Sequence, residues 1–188
     1  MKNLGEKFNF KEIIQYHIDE KLLICIERKN ITNEPLWGFP ILLTDQVLLM
    51  TKIDDFRDEG IVLIRPEDVT DAFSKESDQF YEYICIQEGL YAISKKWKEY
   101  CSIQNFQTFI VRIDCSNQFM TIQCENNDEL YFSIGRPEKI INDSVYFYNF
   151  DKNGIWEDTP RKIPIKDITL IAVGDYYSKL FYKYMSIR

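Results

Sequence analysis

The sequence predicts a mainly β protein with a minor helical part, built as two tandem SH3-like or Sm-like small β-barrels that are each followed by a short helix. Short apolar runs separated by turn-forming residues recur along its 188 residues, a pattern typical of small barrels. Its 12 tyrosines and 13 phenylalanines outnumber its 7 glycines, which favours strands over loops. The third observation is an internal similarity between the two halves of the chain.

The two halves carry similar short blocks in the same order, 94 to 101 residues apart. The matched positions include Asn9 with Asn105, Gly38 with Gly135, Val47 with Val145, Gly60 with Gly154, Val69 with Ile168 and Phe80 with Phe181. This spacing exceeds the ~20–50 residues of a solenoid repeat and suits a small domain. We therefore predict a first barrel-plus-helix unit at 1–85, a linker at 86–104 and a second unit at 105–188. One continuous sheet that reuses strand patterns is the alternative interpretation.

The apolar runs predict the positions of the strands. In the first half, the predicted strands are 10–17, 22–28, 36–43, 47–53, 61–65 and 69–72. In the second half, they are 107–114, 118–124, 129–136, 144–150, 162–165 and 168–173. Helices are predicted near 78–85 and 175–185, with Phe80 and Phe181 as equivalent core residues. The apolar residues of 47–53 and 145–150 run together, which predicts strands covered on both faces.

The sequence offers no group of residues that dictates a chemistry. His17 is the single histidine and the five cysteines form no CxxC pair, so neither a zinc site nor a cysteine–histidine nucleophile is indicated. Glycine-rich phosphate-binding motifs do not occur, and adjacent acids such as Asp54-Asp55 and Glu157-Asp158 are typical of solvated turns. We therefore expect no cofactor, no metal and no catalytic residue.

The lack of a long apolar segment and of a signal peptide in the sequence predicts a cytoplasmic protein. No run of 18 apolar residues is present, and residues 1–7 lack the apolar core of a signal peptide. A reducing cytoplasm does not favour disulfides. Cys25 and Cys124 lie in apolar runs, where we expect them to be small core residues.

The negative charge is concentrated in the first half. Residues 9–85 contain 16 acidic and 8 basic residues, whereas residues 105–185 contain 11 and 9. A negative field repels a phosphate backbone, so nucleic acid is a disfavoured partner and a basic protein is a favoured one. The acidic residues predicted to dock that partner are Asp54, Asp55, Asp58, Glu59, Glu67 and Asp68.

Several blocks resemble a widespread family of uncharacterised bacterial proteins with two tandem small-barrel repeats. The second half carries Ile134-Gly135-Arg136-Pro137 and Trp156-Glu157-Asp158-Thr159-Pro160, and the first half carries Trp37-Gly38-Phe39. The resemblance covers most of the chain and implies a bacterial, cytoplasmic protein. It implies no activity, because none is assigned to the family.

Together, these observations predict a non-enzymatic protein-binding module, whose sharpest form is an immunity or antitoxin-like protein that masks a basic toxin. Trp37 and Trp156 are either exposed binding anchors or core residues. Two alternatives stay open. An Sm-like RNA-binding protein would use the basic residues Lys95, Lys96 and Lys98, and an enzyme would use a pair of carboxylates.

Overall fold

A computed structural model describes residues 10–92, 97, 102–114, 118–128 and 131–185. The structure is mixed α+β with strands somewhat dominant, so the predicted class is confirmed in that broad sense. The helices are α1 (Phe10–Glu20), α2 (Gln79–Gln87), α3 (Phe106–Asp114) and α4 (Tyr176–Met185). The strands are β1 (Ile24–Glu27), β2 (Leu36–Gly38), β3 (Pro40–Leu43), β4 (Leu48–Asp54), β5 (Arg57–Ile64), β6 (Asp71–Phe73), β7 (Met120–Gln123), β8 (Phe132–Ile141), β9 (Ser144–Asn149), β10 (Arg161–Pro164) and β11 (Leu170–Val173).

The strands form two antiparallel sheets. One has eight strands in the order β10-β9-β8-β7-β11-β5-β4-β3, and the other has three in the order β2-β1-β6. Neither sheet closes into a barrel, so the prediction of two closed barrels is wrong. The reason is that β5 of the first half pairs with β11 of the second, with Leu63 opposite Ile171. In this pairing, the backbone N–H and C=O groups at the edge of each strand bond to the other half. Neither half then has to close on itself to provide partners for them.

The centre of the larger sheet is buried on both faces. Successive residues of β4, β5 and β11 alternate between two hydrophobic cores. One core contains Leu49, Leu63 and Ile171 and is covered by α3. The other contains Met50 and Val62 and is covered by α1 and the three-stranded sheet. Full burial of one such aliphatic side chain stabilises the fold by roughly 1.5–3 kcal/mol, so these three strands anchor both cores.

The first element of each half is a helix, which corrects the predicted strands at 10–17 and 107–114. In α3, the buried residues Phe106, Phe109, Ile110 and Ile113 follow the i, i+3, i+4, i+7 spacing of one helix face. In α1, Ile14 and His17 are buried at a spacing of three residues. Both runs contain many β-branched and aromatic residues, whose strand propensity suggested the other assignment.

Two further predictions about burial differ from the structure. In β4 the consecutive residues Leu48 to Met50 are all fully buried, as predicted, but β9 alternates, with Val145 and Phe147 buried and Tyr146 half-buried. The sheet at β9 therefore has one fully buried face and one partly exposed face. Phe80 is 71 % exposed, so it is no core residue. The side chain that α2 buries fully is Cys85, and Tyr81 packs partly buried against the same core.

Elements occur in the same order in both halves, namely a helix, strands, a short 3₁₀ turn, a strand and a helix. Gly38 and Gly135 have similar surroundings, because a Cβ atom on either would lie about 2 Å or less from a carbonyl oxygen, that of Thr51 at 1.7 Å or that of Tyr148 at 2.0 Å. A register shift follows each glycine, at Pro40/Leu42 and at Pro137/Lys139. The match of Gly60 with Gly154 is wrong, since Gly60 lies inside β5 and Gly154 lies in the loop after β9.

Helix α3 permits a direct test of its secondary structure. Phe109 is fully buried and Val111 is 58 % exposed, as a helix requires, whereas a strand would place both on one face. We expect Phe109→Ala to lower the free energy of unfolding by about 3–5 kcal/mol and Val111→Ala by less than about 0.5 kcal/mol. Urea unfolding of both variants measures the difference, and equal losses would contradict the helix.

Candidate partner-binding site

The hairpin between β4 and β5 presents an aromatic ring at its tip. Asp54 pairs with Arg57, so Asp55 and Phe56 form a two-residue turn with φ angles of 46° and 61°. Such turns favour glycine or asparagine, because a Cβ atom at positive φ costs roughly 1–2 kcal/mol. Phe56 nevertheless occupies one of these positions and is 38 % exposed. The hairpin therefore keeps a large ring at a position where local stability alone favours a smaller residue.

Phe56 belongs to a wall of three aromatic rings. Its ring centroid lies 4.4 Å from that of Tyr81 on α2, and the Tyr81 centroid lies 6.0 Å from that of Trp37 on β2. The Phe56 backbone N–H donates a hydrogen bond to the Tyr81 hydroxyl oxygen, with a donor–acceptor distance of 3.4 Å. Burial raises the pKa of Tyr81, so its hydroxyl stays protonated at neutral pH. Three different elements thus hold one continuous apolar surface.

Two rings of this wall, those of Trp37 and Tyr81, line a pocket of about 230 Å³ together with three carboxylates, and we call it the acidic aromatic pocket. Its lining residues are Trp37, Ile53, Asp54, Asp55, Asp78 and Tyr81. Asp78 is held in place, because its two carboxylate oxygens accept hydrogen bonds from the Lys75 backbone N–H at 2.7 Å and the Ser77 hydroxyl at 3.2 Å. Asp55 pairs with the exposed Arg57 at 3.5 Å, a surface pair worth little.

The chemistry of the acidic aromatic pocket suits a cation. The faces of tryptophan and tyrosine rings carry negative potential and attract ammonium or guanidinium groups. The carboxylates of Asp54 and Asp55 add full negative charges at the rim. An apolar wall beside exposed carboxylates can therefore take the apolar stem and the charged head of one basic side chain.

Helix α2 adds an exposed apolar strip. Phe80 and Tyr83 are 71 % and 57 % exposed, and their rings stack with centroids 6.4 Å apart. Ile86 follows on the same helix and is also exposed. Exposed aromatic residues grouped in this way are typical of protein-binding surfaces.

The six acids predicted to dock a partner lie in three different settings. Asp54 and Asp55 line the acidic aromatic pocket. Asp58 and Glu59 face α4, where Asp58 pairs with Lys179 at 3.3 Å and Glu59 accepts a 3.3 Å hydrogen bond from the Tyr176 backbone N–H. Glu67 and Asp68 line a different cleft between the two halves. The structure thus places only the first two beside the aromatic wall.

The second cleft, of about 250 Å³, lies between two similar 3₁₀ turns, Pro66–Asp68 and Ile165–Asp167. Arg65 spans it by donating hydrogen bonds to the carbonyl oxygens of Ile165 at 2.6 Å and Ile168 at 3.2 Å. We call it the junction cleft. The Arg65 guanidinium already donates to backbone oxygens, and both acidic and basic side chains line the walls. The junction cleft therefore has no clear preference for one class of ligand.

A buried ion pair connects the halves beside the junction cleft. Arg28 and Glu125 are exposed by only 2 % and 6 %, and two hydrogen bonds of 2.8 and 3.1 Å join them. Thr169 completes the network by donating its hydroxyl to Glu125 at 2.8 Å. Removing one partner of such a pair typically costs 3–5 kcal/mol, so this network is structural.

The histidine and the three cysteines that the structure describes are all buried in the core. His17 is buried in α1, with Nδ1 2.8 Å from the Ile13 carbonyl oxygen. Burial raises the pKa of Cys25 to about 12 and those of Cys85 and Cys124 to about 11, so these thiols are unreactive at neutral pH. Within the described ranges, no group of three or more histidine, cysteine or acidic residues could hold a metal.

Comparisons of the chain with protein-family models, with curated proteins and with solved structures find no match. In the part of the chain that the structure describes, no helix is long and apolar enough to cross a membrane. Lys95, Lys96 and Lys98, which the RNA-binding alternative would use, lie outside the described residues.

From the sequence, Trp37 is either an exposed binding anchor or a core residue, and no pattern identifies Phe56, Asp78 or Tyr81 as site residues. Trp37 is half-buried and lines the acidic aromatic pocket, whereas Trp156 packs against Phe119 and Phe150. The one local signal was an Asp-Phe turn between two apolar strands, where Asn-Gly or Asp-Gly is usual. Asp78 and Tyr81 join the site through tertiary packing, which no spacing in the sequence reveals.

Asp68 predicts a pH dependence of stability. Burial raises the pKa of Asp68 above the usual range of an aspartate, although the neighbouring cations Arg65 and Arg28 oppose the shift. A raised pKa in the folded state means that this group stabilises most in acid, and that its contribution falls as pH rises above about 4 through the raised pKa. We therefore expect the free energy of unfolding of Asp68→Asn, relative to the wild type, to increase over that range. Denaturation at several pH values measures it.

The exposed Asp158→Asn serves as the control for loss of one carboxylate. A stability difference between wild type and Asp68→Asn that is flat, or that moves in the opposite direction with pH, would contradict the burial of Asp68.

Proposed function

We propose that this chain is a non-enzymatic protein-binding module and that its first half docks a basic segment of a partner protein. The acidic aromatic pocket carries the proposal, because it combines an apolar wall with carboxylates that other groups do not neutralise strongly. Phe80 and Tyr83 give α2 a further exposed apolar area. A central aromatic anchor site with a polar rim is the usual composition of a protein-binding hot spot.

The charge distribution supports the same kind of partner. The first half has twice as many acidic as basic residues, which gives it a negative field. Such a field attracts a basic partner over long range and raises the association rate, an effect that salt weakens. An immunity or antitoxin-like protein that masks a basic toxin in a bacterial cytosol is the sharpest form of this proposal.

The repeated element order supports a second proposal, that the chain arose by duplication of one sheet unit. Three strand pairings match between the halves: β1–β2 with β7–β8, β1–β6 with β7–β11, and β3–β4 with β8–β9. In the first of them, Ile24 lies opposite Gly38 as Met120 lies opposite Gly135. The hydroxyls of Thr70 and Thr169 each lie 3.1 Å from a carbonyl oxygen of the first strand in their half, Glu27 and Gln123. Only the first half carries the acidic aromatic pocket, so binding would have been acquired or kept by one unit.

A capture experiment tests the proposed function. Immobilised wild-type protein is compared, on a soluble bacterial extract, with a pocket variant that combines Asp54→Asn, Asp55→Asn and Asp78→Asn. We expect one or a few basic proteins to be retained by the wild type and to fall at least about tenfold with the variant, as the loss of 1.4 kcal/mol or more would give. Quantitative mass spectrometry measures the retained amounts.

A matched variant keeps the same change in net charge but leaves the pocket intact. It combines three exposed positions of the second half, Asp128→Asn, Glu138→Gln and Asp158→Asn. Thermal unfolding verifies that both variants are folded. If both variants lose the same proteins to the same extent, only net charge matters and the pocket is not the docking site.

A further inference from the structure

We infer that the side chain that enters the acidic aromatic pocket is an arginine, with its guanidinium stacked on Trp37 and bonded to the carboxylates at the rim. This inference rests on the proposed function and adds the chemical identity of the partner's anchor residue. Three features lead to it: the small number of aromatic rings in the pocket lining, the number of hydrogen-bond acceptors, and the cation that covers a tryptophan in the second half.

Aromatic rings form only part of the pocket lining. Trp37 and Tyr81 are its two rings, with centroids 6.0 Å apart and an interplanar angle of 56°, and the other lining residues are Ile53 and three aspartates. A bulky methylated ammonium is usually enclosed by aromatic rings on several sides. A planar guanidinium needs only a single ring face against which to stack, so the shape of this wall favours arginine.

The rim offers more acceptors than an ammonium can use. Asp54, Asp55 and Asp78 present three carboxylates around one small pocket. Each oxygen of Asp78 already accepts one hydrogen bond and retains capacity for another. Guanidinium has five N–H donors in a plane, whereas an ammonium has three donors and is more strongly hydrated. Arginine therefore matches the acceptors at a lower cost of desolvation.

The second half shows the same contact within the chain. Its half-buried Trp156 is covered by Arg136, whose guanidinium carbon lies 5.4 Å from the ring centroid. Arg65 similarly covers Phe106 at 4.6 Å. In the described part of the chain, no cation lies over Trp37, although carboxylates line the pocket beside it. The first half thus has the acceptor surface for an arginine, and none of the residues that the structure describes supplies one.

Nuclear magnetic resonance titration with small probes tests the inference. The probes are arginine amide, lysine amide and citrulline amide, whose side chain has the shape of arginine but no charge. The chloride concentration is kept equal in all three titrations. The chain has three tryptophans, and the indole N–H signal of Trp37 is assigned by its loss in Trp37→Phe. We expect arginine amide to shift this signal and to bind at least about threefold more tightly than lysine amide, with no saturable shift from citrulline amide.

Variants separate the pocket from general charge. Asp54→Asn combined with Asp55→Asn should weaken arginine amide at least about threefold, because it removes two charged acceptors. Asp128→Asn combined with Asp158→Asn should leave the affinity unchanged. Lysine amide that binds as tightly as arginine amide would overturn the arginine inference and leave the proposed function standing. A Trp37 signal that neither cation shifts, or that citrulline amide shifts equally, would overturn both.

Discussion

The pairing of β5 with β11 is the interaction on which the rest of the structure depends. Residues 61–64 of β5 and all of β11 are buried on both faces, so their backbone N–H and C=O groups need partners within the sheet. Strand β5 finds partners in β4 on one side and in β11 on the other, with Leu49 and Ile171 both opposite Leu63. The eight-stranded sheet is therefore built from strands of both halves of the chain.

This arrangement gives the acidic aromatic pocket a rigid support. Behind its rings lies a small core that contains Phe39, Ile53 and Cys85, packed against the end of the long sheet. Gly38 lets β2 and β3 pass within contact of the Thr51 carbonyl, a path on which a Cβ atom would collide. The rings are therefore held by the core while the carboxylates of Asp54 and Asp55 stay in solvent, and this division suits recognition of a basic side chain.

The sequence predicted the strands at the centre well and the partners of those strands poorly. Consecutive apolar residues in β4 identified a strand covered on both faces, because local composition records burial. The similar blocks around Gly38 and Gly135 identified positions that share a close backbone contact. Helices α1 and α3 were missed because their β-branched and aromatic residues outweighed the spacing of Phe106, Phe109 and Ile113. The β5–β11 pairing and the meeting of Tyr81 with Phe56 depend on tertiary contacts that local sequence does not encode.

Amide hydrogen exchange tests the shared sheet most directly. If β5 and β11 form the common centre of one cooperative structure, the amides of Val62 and Leu63 and those of Ile171 and Ala172 should exchange only through global unfolding. Both sets should then report the same free energy, equal to that from denaturant unfolding. Amides of β11 that exchange at a free energy well below those of β5 would show that the second half opens separately, and would contradict a sheet whose stability both halves share.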